Sequence, residues 1–154
     1  MHEKKQRGST CFAGNPVFFK DLVSGLGPEV KRDVSLILQE RTFEAGNVVI
    51  ARGEPALDLY LLRSGKALLV VETGEGTTVT REIATGEIFG LPEAVAGPTY
   101  DTMVVARSFC RFESAAGSDL TRVLHLHPSL CFRLVTLLGT NLNEGRQIFT
   151  STTI

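Results

Sequence analysis

The sequence predicts a mainly β domain with flanking helices, of the sandwich or barrel class. Between Phe43 and Gly90, short runs rich in Val, Ile, Leu, Thr and Tyr alternate with glycines. These runs recur every 8–12 residues or so, a spacing typical of all-β sandwiches and barrels. No helix of ordinary length fits between the glycines, since an interior glycine costs about 1 kcal/mol relative to alanine. The expected strands are Val48–Ile50, Leu57–Leu62, Ala67–Val71, Thr77–Ile83 and Ile88–Phe89.

Two short helices are expected before this β block. Pro16–Leu26 begins near a proline, whose fixed φ suits a first helical turn, and it has apolar residues at helical spacing. Gly25 and Gly27 favour its end. Pro28 then starts a second amphipathic helix, which is expected to reach Gln39.

The segments after the block are expected to return to strand and then to helix. Ser118 and Asp119 are residue types that begin helices. His127 precedes a proline and should break the chain direction there. In order, we expect a short helical turn or loop at Leu91–Pro98, strands at Tyr100–Ala106 and Phe109–Glu113, and a helix at Ser114–Leu126.

A long helix is expected from Pro128 to Asn143. It carries more apolar residues than one narrow face can hold, and some approximate an a/d seam over about two heptads. Two arrangements remain open, a helix paired with a second copy of the chain or a helix buried wholly against its own domain. The seam residues are Cys131, Leu134 or Val135, Leu138 and Leu142.

Length and composition indicate one domain with no membrane span. The chain has 154 residues, of which 43% are hydrophobic and 21% charged, and its net charge of −1 favours neither nucleic acid nor membrane. No apolar run approaches the roughly 18 residues that a span needs. The N-terminus lacks the apolar core of a secretory signal, so a cytoplasmic location is expected. We divide the chain into a flexible arm (1–15), a folded domain (16–146) and a tail (147–154).

Four motifs in the β block resemble those of the cyclic-nucleotide-binding domain, the effector domain of catabolite-activator and FNR-type regulators. This resemblance covers about residues 16–146 and implies a β jelly roll, or double-stranded β-helix, with an N-terminal helical pair. It also implies a long C-terminal helix that pairs across a two-fold axis, and a sensory role. The motifs are F-x-x-G-x-x-I from Phe43, G-E-P from Gly53, L-Y-L-L-x-S-G from Leu59 and I-A-T-G-E-I-F-G from Ile83.

The ligand motif of that family is degenerate in this chain. Family members hold the ribose with the glutamate of F-G-E-L-A-L and the phosphate with the arginine of a following R-S/T-A. Phe89 and Gly90 match, but Leu91 stands at the glutamate position and Tyr100 at the arginine position. No arginine occurs between residues 85 and 106. The expected ligand is therefore a small, nucleotide-like molecule other than a usual cyclic nucleotide. The candidate residues of its binding pocket are Arg81, Phe89, Gly90, Leu91, Glu93, Tyr100, Asp101, Thr102 and Asn141.

Other interpretations remain open. The domain could serve dimerisation or docking without a ligand, or it could be a true cyclic-nucleotide regulator, and Tyr100 with Asp101 could form an exposed turn. His125 and His127 form the H-x-H pair of metal-binding cupins, but at a helix end their side chains point apart, so neither a metal nor a cofactor is expected. No nucleophile and base pair indicates an enzyme. The family's helix-turn-helix has no counterpart after Gly145, so no direct DNA binding by that module is expected.

The scattered glutamates and the three cysteines form no catalytic motif. A solvated face accounts for most of the scattered glutamates, and the three cysteines form no C-x-x-C pair. Cys110 and Cys131 lie in apolar segments and are expected to be buried thiols, whereas Cys11 lies in the arm. The glutamates in question are Glu72, Glu75, Glu82, Glu87 and Glu93.

Overall fold

The fold is a β roll flanked by helices, as the sequence predicts. The structure is a computed structural model that describes residues 16–139. The described strands are β1 (Val17–Phe18), β2 (Gln39–Phe43), β3 (Val48–Ile50), β4 (Asp58–Ser64), β5 (Ala67–Glu72), β6 (Thr78–Ile83), β7 (Glu87–Phe89), β8 (Met103–Ala106) and β9 (Cys110–Ala116). The described helices are α1 (Phe19–Val23), α2 (Pro28–Ile37), α3 (Leu91–Ala96), α4 (Gly117–Leu126) and α5, which covers residues 128–139.

The strands form two antiparallel sheets. Sheet A has five strands in the order β1-β7-β4-β9-β2, and sheet B has four in the order β3-β8-β5-β6. Inward-facing residues of both sheets form one buried cluster, which we call the roll interior. Its members are Val49, Ile50, Ala56, Tyr60, Leu62, Ala67, Leu69, Val71, Ile83, Phe89, Tyr100, Val104, Ala106, Cys110 and Phe112.

The opposite face of sheet A carries the helices. Alternation along β4 places Tyr60 and Leu62 in the roll interior but Leu59 and Leu61 in a second cluster. That second cluster also contains buried residues of α1, α2, α3, α4 and α5. Sheet A is therefore covered on both faces, which explains why β4 reads as an almost continuous apolar run.

Several element boundaries differ from the prediction. The second helix ends at Ile37 rather than Gln39. Gln39–Phe43 form β2, a strand that the sequence did not reveal because four of its five residues are exposed. Strand β9 continues to Ala116, and α4 starts at Gly117 without a side-chain cap. The expected helix start at Ser114 is therefore wrong by three residues, and neither Ser118 nor Asp119 caps the helix. A Cβ on Gly117 would lie 2.1 Å from the carbonyl oxygen of Ala94, so close packing against α3 fixes this junction.

Two polar contacts fasten α5 and His127, the residue before it, to the N-terminal helices. The His127 Nε2 atom lies 2.7 Å from Oδ2 of Asp33, and Nη1 of Arg133 donates a hydrogen bond of 2.7 Å to the carbonyl oxygen of Asp21. Between residues 16 and 139, no helix is long and apolar enough to cross a membrane. The arm and the tail lie outside the described residues, so the proposed division of the chain stays a prediction.

Candidate functional site

The candidate site lies where β7 runs into α3, at a glycine that the geometry requires. Gly90 has a φ of 78°, in the left-handed region that favours glycine. A Cβ there would lie 3.3 Å from each of three atoms: the carbonyl oxygen of Asp58, Cδ1 of Ile50 and Cε1 of Tyr100. We call residues 90–102 the α3 loop. Its entry therefore packs closely against β3, β4 and Tyr100, the residue that the sequence motif aligns with the family's arginine.

Tyr100 is part of the roll interior and is tied to the backbone of β4. Only 7% of the residue is exposed. Its hydroxyl donates a hydrogen bond of 2.5 Å to the carbonyl oxygen of Asp58 and accepts one of 3.1 Å from the N–H of the same residue. Burial raises the pKa of Tyr100, so the phenol stays neutral and able to donate. The interpretation of Tyr100 as an exposed turn residue is wrong, although its neighbour Asp101 is exposed.

The charges around the α3 loop are acidic. Burial, and to a smaller extent the Asp101 carboxylate, raises the pKa of Glu93 on α3. The carboxylates of Asp58 and Glu93 add to the rise in the pKa of Tyr100. The α3 loop itself contains no lysine or arginine. A phosphate would meet carboxylates here, where the family's motif places a cation.

Arg81 points into the roll, but Glu87 neutralises it. The Arg81 Nη1 and Nη2 atoms lie 3.1 and 2.7 Å from the two carboxylate oxygens of Glu87. Glu87 also accepts a 3.0 Å hydrogen bond from the N–H of Ala84 and is only 2% exposed. The expectation of a solvated face is wrong for Glu87. Strand alternation gives the signal that was missed, because Glu87 is two residues from the buried Phe89.

Aromatic rings fill much of the roll interior beside these groups. Phe89 stacks on Tyr60 at 5.7 Å and meets Phe112 edge-on at 5.6 Å. Phe43 meets Phe112 edge-on at 5.5 Å. The guanidinium of Arg41, on the edge strand β2, lies 5.7 Å from the Phe43 ring centre and 5.9 Å from that of Tyr60. Of these residues only Phe89 is a predicted site residue. Arg41 and Phe43 lie on β2, a strand that the sequence does not reveal.

The remaining candidate residues are dispersed. Leu91 is 2% exposed and packs in the helical cluster on the far side of sheet A, whereas Thr102 is half-buried. Asn141 lies outside the described residues. His127 is engaged with Asp33. Among residues 16–139, no group of three or more His, Cys, Asp or Glu side chains is placed to hold a metal ion.

Comparison with known proteins points to one family. A family model described as the cyclic nucleotide-binding domain matches residues 40–127, more than half of the chain. The cAMP-dependent protein kinase regulatory subunit of Dictyostelium discoideum is 27% identical over 123 residues, which cover 79% of this chain. The chain spans only 36% of that relative's length.

Solved structures show the same fold. The catabolite activator protein of Thermus thermophilus superposes with a TM-score of 0.77 at 23% identity, over 86% of this chain and 63% of that one. The sensor domain of the transcriptional regulator DNR from Pseudomonas aeruginosa gives a TM-score of 0.69 at 19% identity, over 94% and 93% of the two chains. Both likenesses confirm the jelly-roll architecture expected from the sequence.

Proposed function

The chain belongs to the cyclic nucleotide-binding domain family, and on that premise we propose that it is a non-catalytic regulatory module that does not hold a cyclic nucleotide by the family's usual contacts. In this proposal it senses a different small molecule and acts in the cytoplasm. The observation that carries the proposal is the side chain of Tyr100, the residue that the sequence motif aligns with the phosphate-binding arginine. Its hydroxyl is bonded to the backbone of Asp58 and not directed to a ligand.

Electrostatics at the α3 loop supports this proposal. Glu93 and Asp101 stand close enough for the Asp101 charge to raise the pKa of Glu93, and the loop contributes no cation. At an effective dielectric constant near 20, two like charges about 4 Å apart repel by about 4 kcal/mol. That energy corresponds to about a thousandfold loss of affinity. The paired Arg81 offers no compensation, because releasing it would leave the buried Glu87 carboxylate without its partner.

Titration calorimetry with cyclic AMP and cyclic GMP tests the proposal. We expect no saturable binding by the wild-type chain below about 1 mM, which corresponds to about −4 kcal/mol. A double variant, Tyr100→Arg with Asp101→Ser, restores the family's cation and small polar residue and should bind cyclic AMP at least about tenfold more tightly. Micromolar binding by the wild-type chain would overturn the proposal.

Signalling through α5 and pairing with a second copy form the second part of the proposal. Of the expected seam residues, Cys131, Leu134 and Leu138 pack in the helical cluster of their own domain, whereas Val135 is 62% exposed. Phe132 is 75% exposed and lies one turn from Val135 on the same side of α5. Such a stripe is costly to leave in water and suits a helix-to-helix seam. A ligand that moves the α3 loop would then be read out as a change at this seam.

Sedimentation velocity tests the pairing. Val135→Glu should convert a dimer into a monomer, because it places a carboxylate in the apolar seam. Leu36→Glu is the matched control, since Leu36 is 75% exposed on α2 and lies outside the seam. A wild-type chain that sediments as a monomer at all concentrations would contradict this part of the proposal.

A ligand-free dimerisation or docking domain is the second candidate function. The ring cluster of Phe43, Tyr60, Phe89 and Phe112 favours it, because these side chains occupy space that a ligand would otherwise use. A crystal structure of protein purified from its native host distinguishes the two candidates. Density for a bound molecule in the roll interior supports a sensor. Elemental analysis of the same sample tests the cupin-like alternative, which requires stoichiometric metal.

A further inference from the structure

The outer face of sheet B carries apolar side chains where an exposed antiparallel sheet normally presents polar ones. In β5, Ala67, Leu69 and Val71 belong to the roll interior, so alternation directs Leu68 and Val70 outward. In β8, Val104 and Ala106 are fully buried, so Met103 and Val105 face outward as well. Strands that are apolar on both faces are typical of sheets covered on both sides. Within residues 16–139, only one face of sheet B is covered.

These outward residues form one continuous patch. Val48 lies opposite Val105, Val105 lies opposite Leu68, and Met103 lies opposite Val70 in the strand register. Two adjacent cross-strand rows are thus apolar. Val48 is 48% exposed, and the other four are half-buried. A contiguous apolar patch with a polar rim is typical of a protein interaction site.

Two cationic residues lie at one end of this patch, on backbone that is held by hydrogen bonds. Lys66 precedes β5 and Arg107 follows β8, both are exposed, and neither forms an ion pair within the described part of the chain. The carbonyl oxygen of Lys66 accepts a 2.7 Å hydrogen bond from the N–H of Arg107, and the N–H of Lys66 donates one of 2.9 Å to Oγ of Ser108. Phe109, 51% exposed, follows on the same turn. The cations therefore stand side by side at a position set by the backbone.

We propose that the outer face of sheet B docks a partner protein through a segment that combines apolar side chains with acidic residues at one end. Charge complementarity selects this occupant. A second copy whose two-fold axis runs along the strands would bring Lys66 and Arg107 of both chains together, which repels. With the axis across the strands the cations lie at opposite ends of the contact, so a second copy is one outcome of the test below. Residues 1–15 of this chain, with Lys4, Lys5 and Arg7 against one Glu3, are basic and repelled in the same way. Residues 140–154 contain one glutamate and one arginine and so offer no complementary charge.

Selection from random peptides of about 12 residues, long enough to cross four strands, tests this proposal. The wild-type chain serves as bait, and a Leu68→Thr/Val105→Thr variant removes peptides that bind elsewhere. Threonine keeps the β-branched preference for strands, and circular dichroism with urea unfolding verifies that the variant folds. We expect enriched peptides to carry apolar residues followed by Asp or Glu. Failure to enrich any peptide that discriminates the two baits, or enrichment of basic peptides, would overturn the proposal.

Fluorescence anisotropy with one enriched peptide then measures each contribution. The threonine variant and a Lys66→Glu/Arg107→Glu variant should each bind at least about tenfold more weakly, whereas Leu36→Thr, at an exposed position on α2, should leave the affinity unchanged. Two further results would contradict docking of a protein segment. One is co-sedimentation of the wild-type chain with vesicles of phosphatidylcholine and phosphatidylserine. The other is loss of a wild-type dimer in the threonine variant, which would assign the patch to a second copy.

Discussion

Replacing Tyr100 by phenylalanine isolates the contact on which the candidate site depends. The substitution keeps the ring that packs beside Gly90 but removes the hydroxyl. The carbonyl oxygen and the N–H of Asp58 then both lose a partner. Since Tyr100 is 7% exposed, water replaces the lost hydroxyl poorly.

The size of the effect follows from these two hydrogen bonds. Each buried bond contributes about 0.5–1.5 kcal/mol net, so Tyr100→Phe should lower the free energy of unfolding by about 2 kcal/mol. For a chain of 154 residues this corresponds to a fall in Tm of about 4–8 °C. Burial of the hydroxyl also raises the pKa of Tyr100, which keeps the phenol protonated and the loss constant across neutral pH.

Urea unfolding followed by circular dichroism measures the loss, and Tyr60→Phe provides the control. Tyr60 is buried to the same degree, but its hydroxyl interacts with Arg41, which is exposed. When the Tyr60 hydroxyl is removed, water can take its place as the partner of Arg41. We expect the Tyr60 variant to lose less than half as much stability. A Tyr100 variant as stable as the wild type, or no less stable than the Tyr60 variant, would refute the assignment of Tyr100 as a fixed structural group.

Three further perturbations test other parts of the structure. Because burial and Asp101 raise the pKa of Glu93 above its ordinary 4.5, the folded chain holds that proton more tightly, so wild-type stability should fall as pH rises from about 4.5. In urea unfolding, the midpoint of the Glu93→Gln variant should not show this fall with pH. Parallel midpoint-against-pH curves for the wild type and the variant would contradict the prediction. Glu87→Gln should lower the free energy of unfolding by about 3 kcal/mol, because it leaves the charge of Arg81 uncompensated. Adding Arg81→Met should restore most of that stability. If the effects of the two substitutions simply add in the double variant, the two residues are not a coupled pair. Gly65→Ala should cost more than about 2 kcal/mol in the same assay, because φ is 99° and the new Cβ would lie 2.4 Å from the Phe109 carbonyl oxygen. An unchanged midpoint would contradict that close approach.

The sequence predicted the roll because its signals are local. Glycines with positive φ, such as those at positions 46, 53, 65, 86 and 90, mark turns, and the runs between them have strand composition. Strand β2 escaped prediction because Q-E-R-T-F at the edge of a sheet has no apolar alternation. The start of α4 was misplaced because close packing of Gly117 on Ala94, and not a capping side chain, fixes it.

The site was only partly predictable because its defining contacts join distant residues. The absence of an arginine near Tyr100 is visible in the sequence, but the hydrogen bond to Asp58 spans 42 positions. The pairing of Arg81 with Glu87 spans six positions, and alternation along β6 and β7 would have placed both inward. The apolar residues on the outer face of sheet B are also visible in the sequences of β5 and β8, but only the strand register shows that they are contiguous.

The central claim is that the α3 loop does not accept a cyclic phosphate, and the backbone amide of Gly90 reports on it most directly. Nitrogen-15 NMR spectra of the wild-type chain, titrated with cyclic AMP to about 1 mM, should leave the Gly90 and Leu91 amide signals in place. Saturable shifts of both signals with a micromolar midpoint would contradict the account. Such shifts would mean that a phosphate binds beside Tyr100 despite the carboxylates around it.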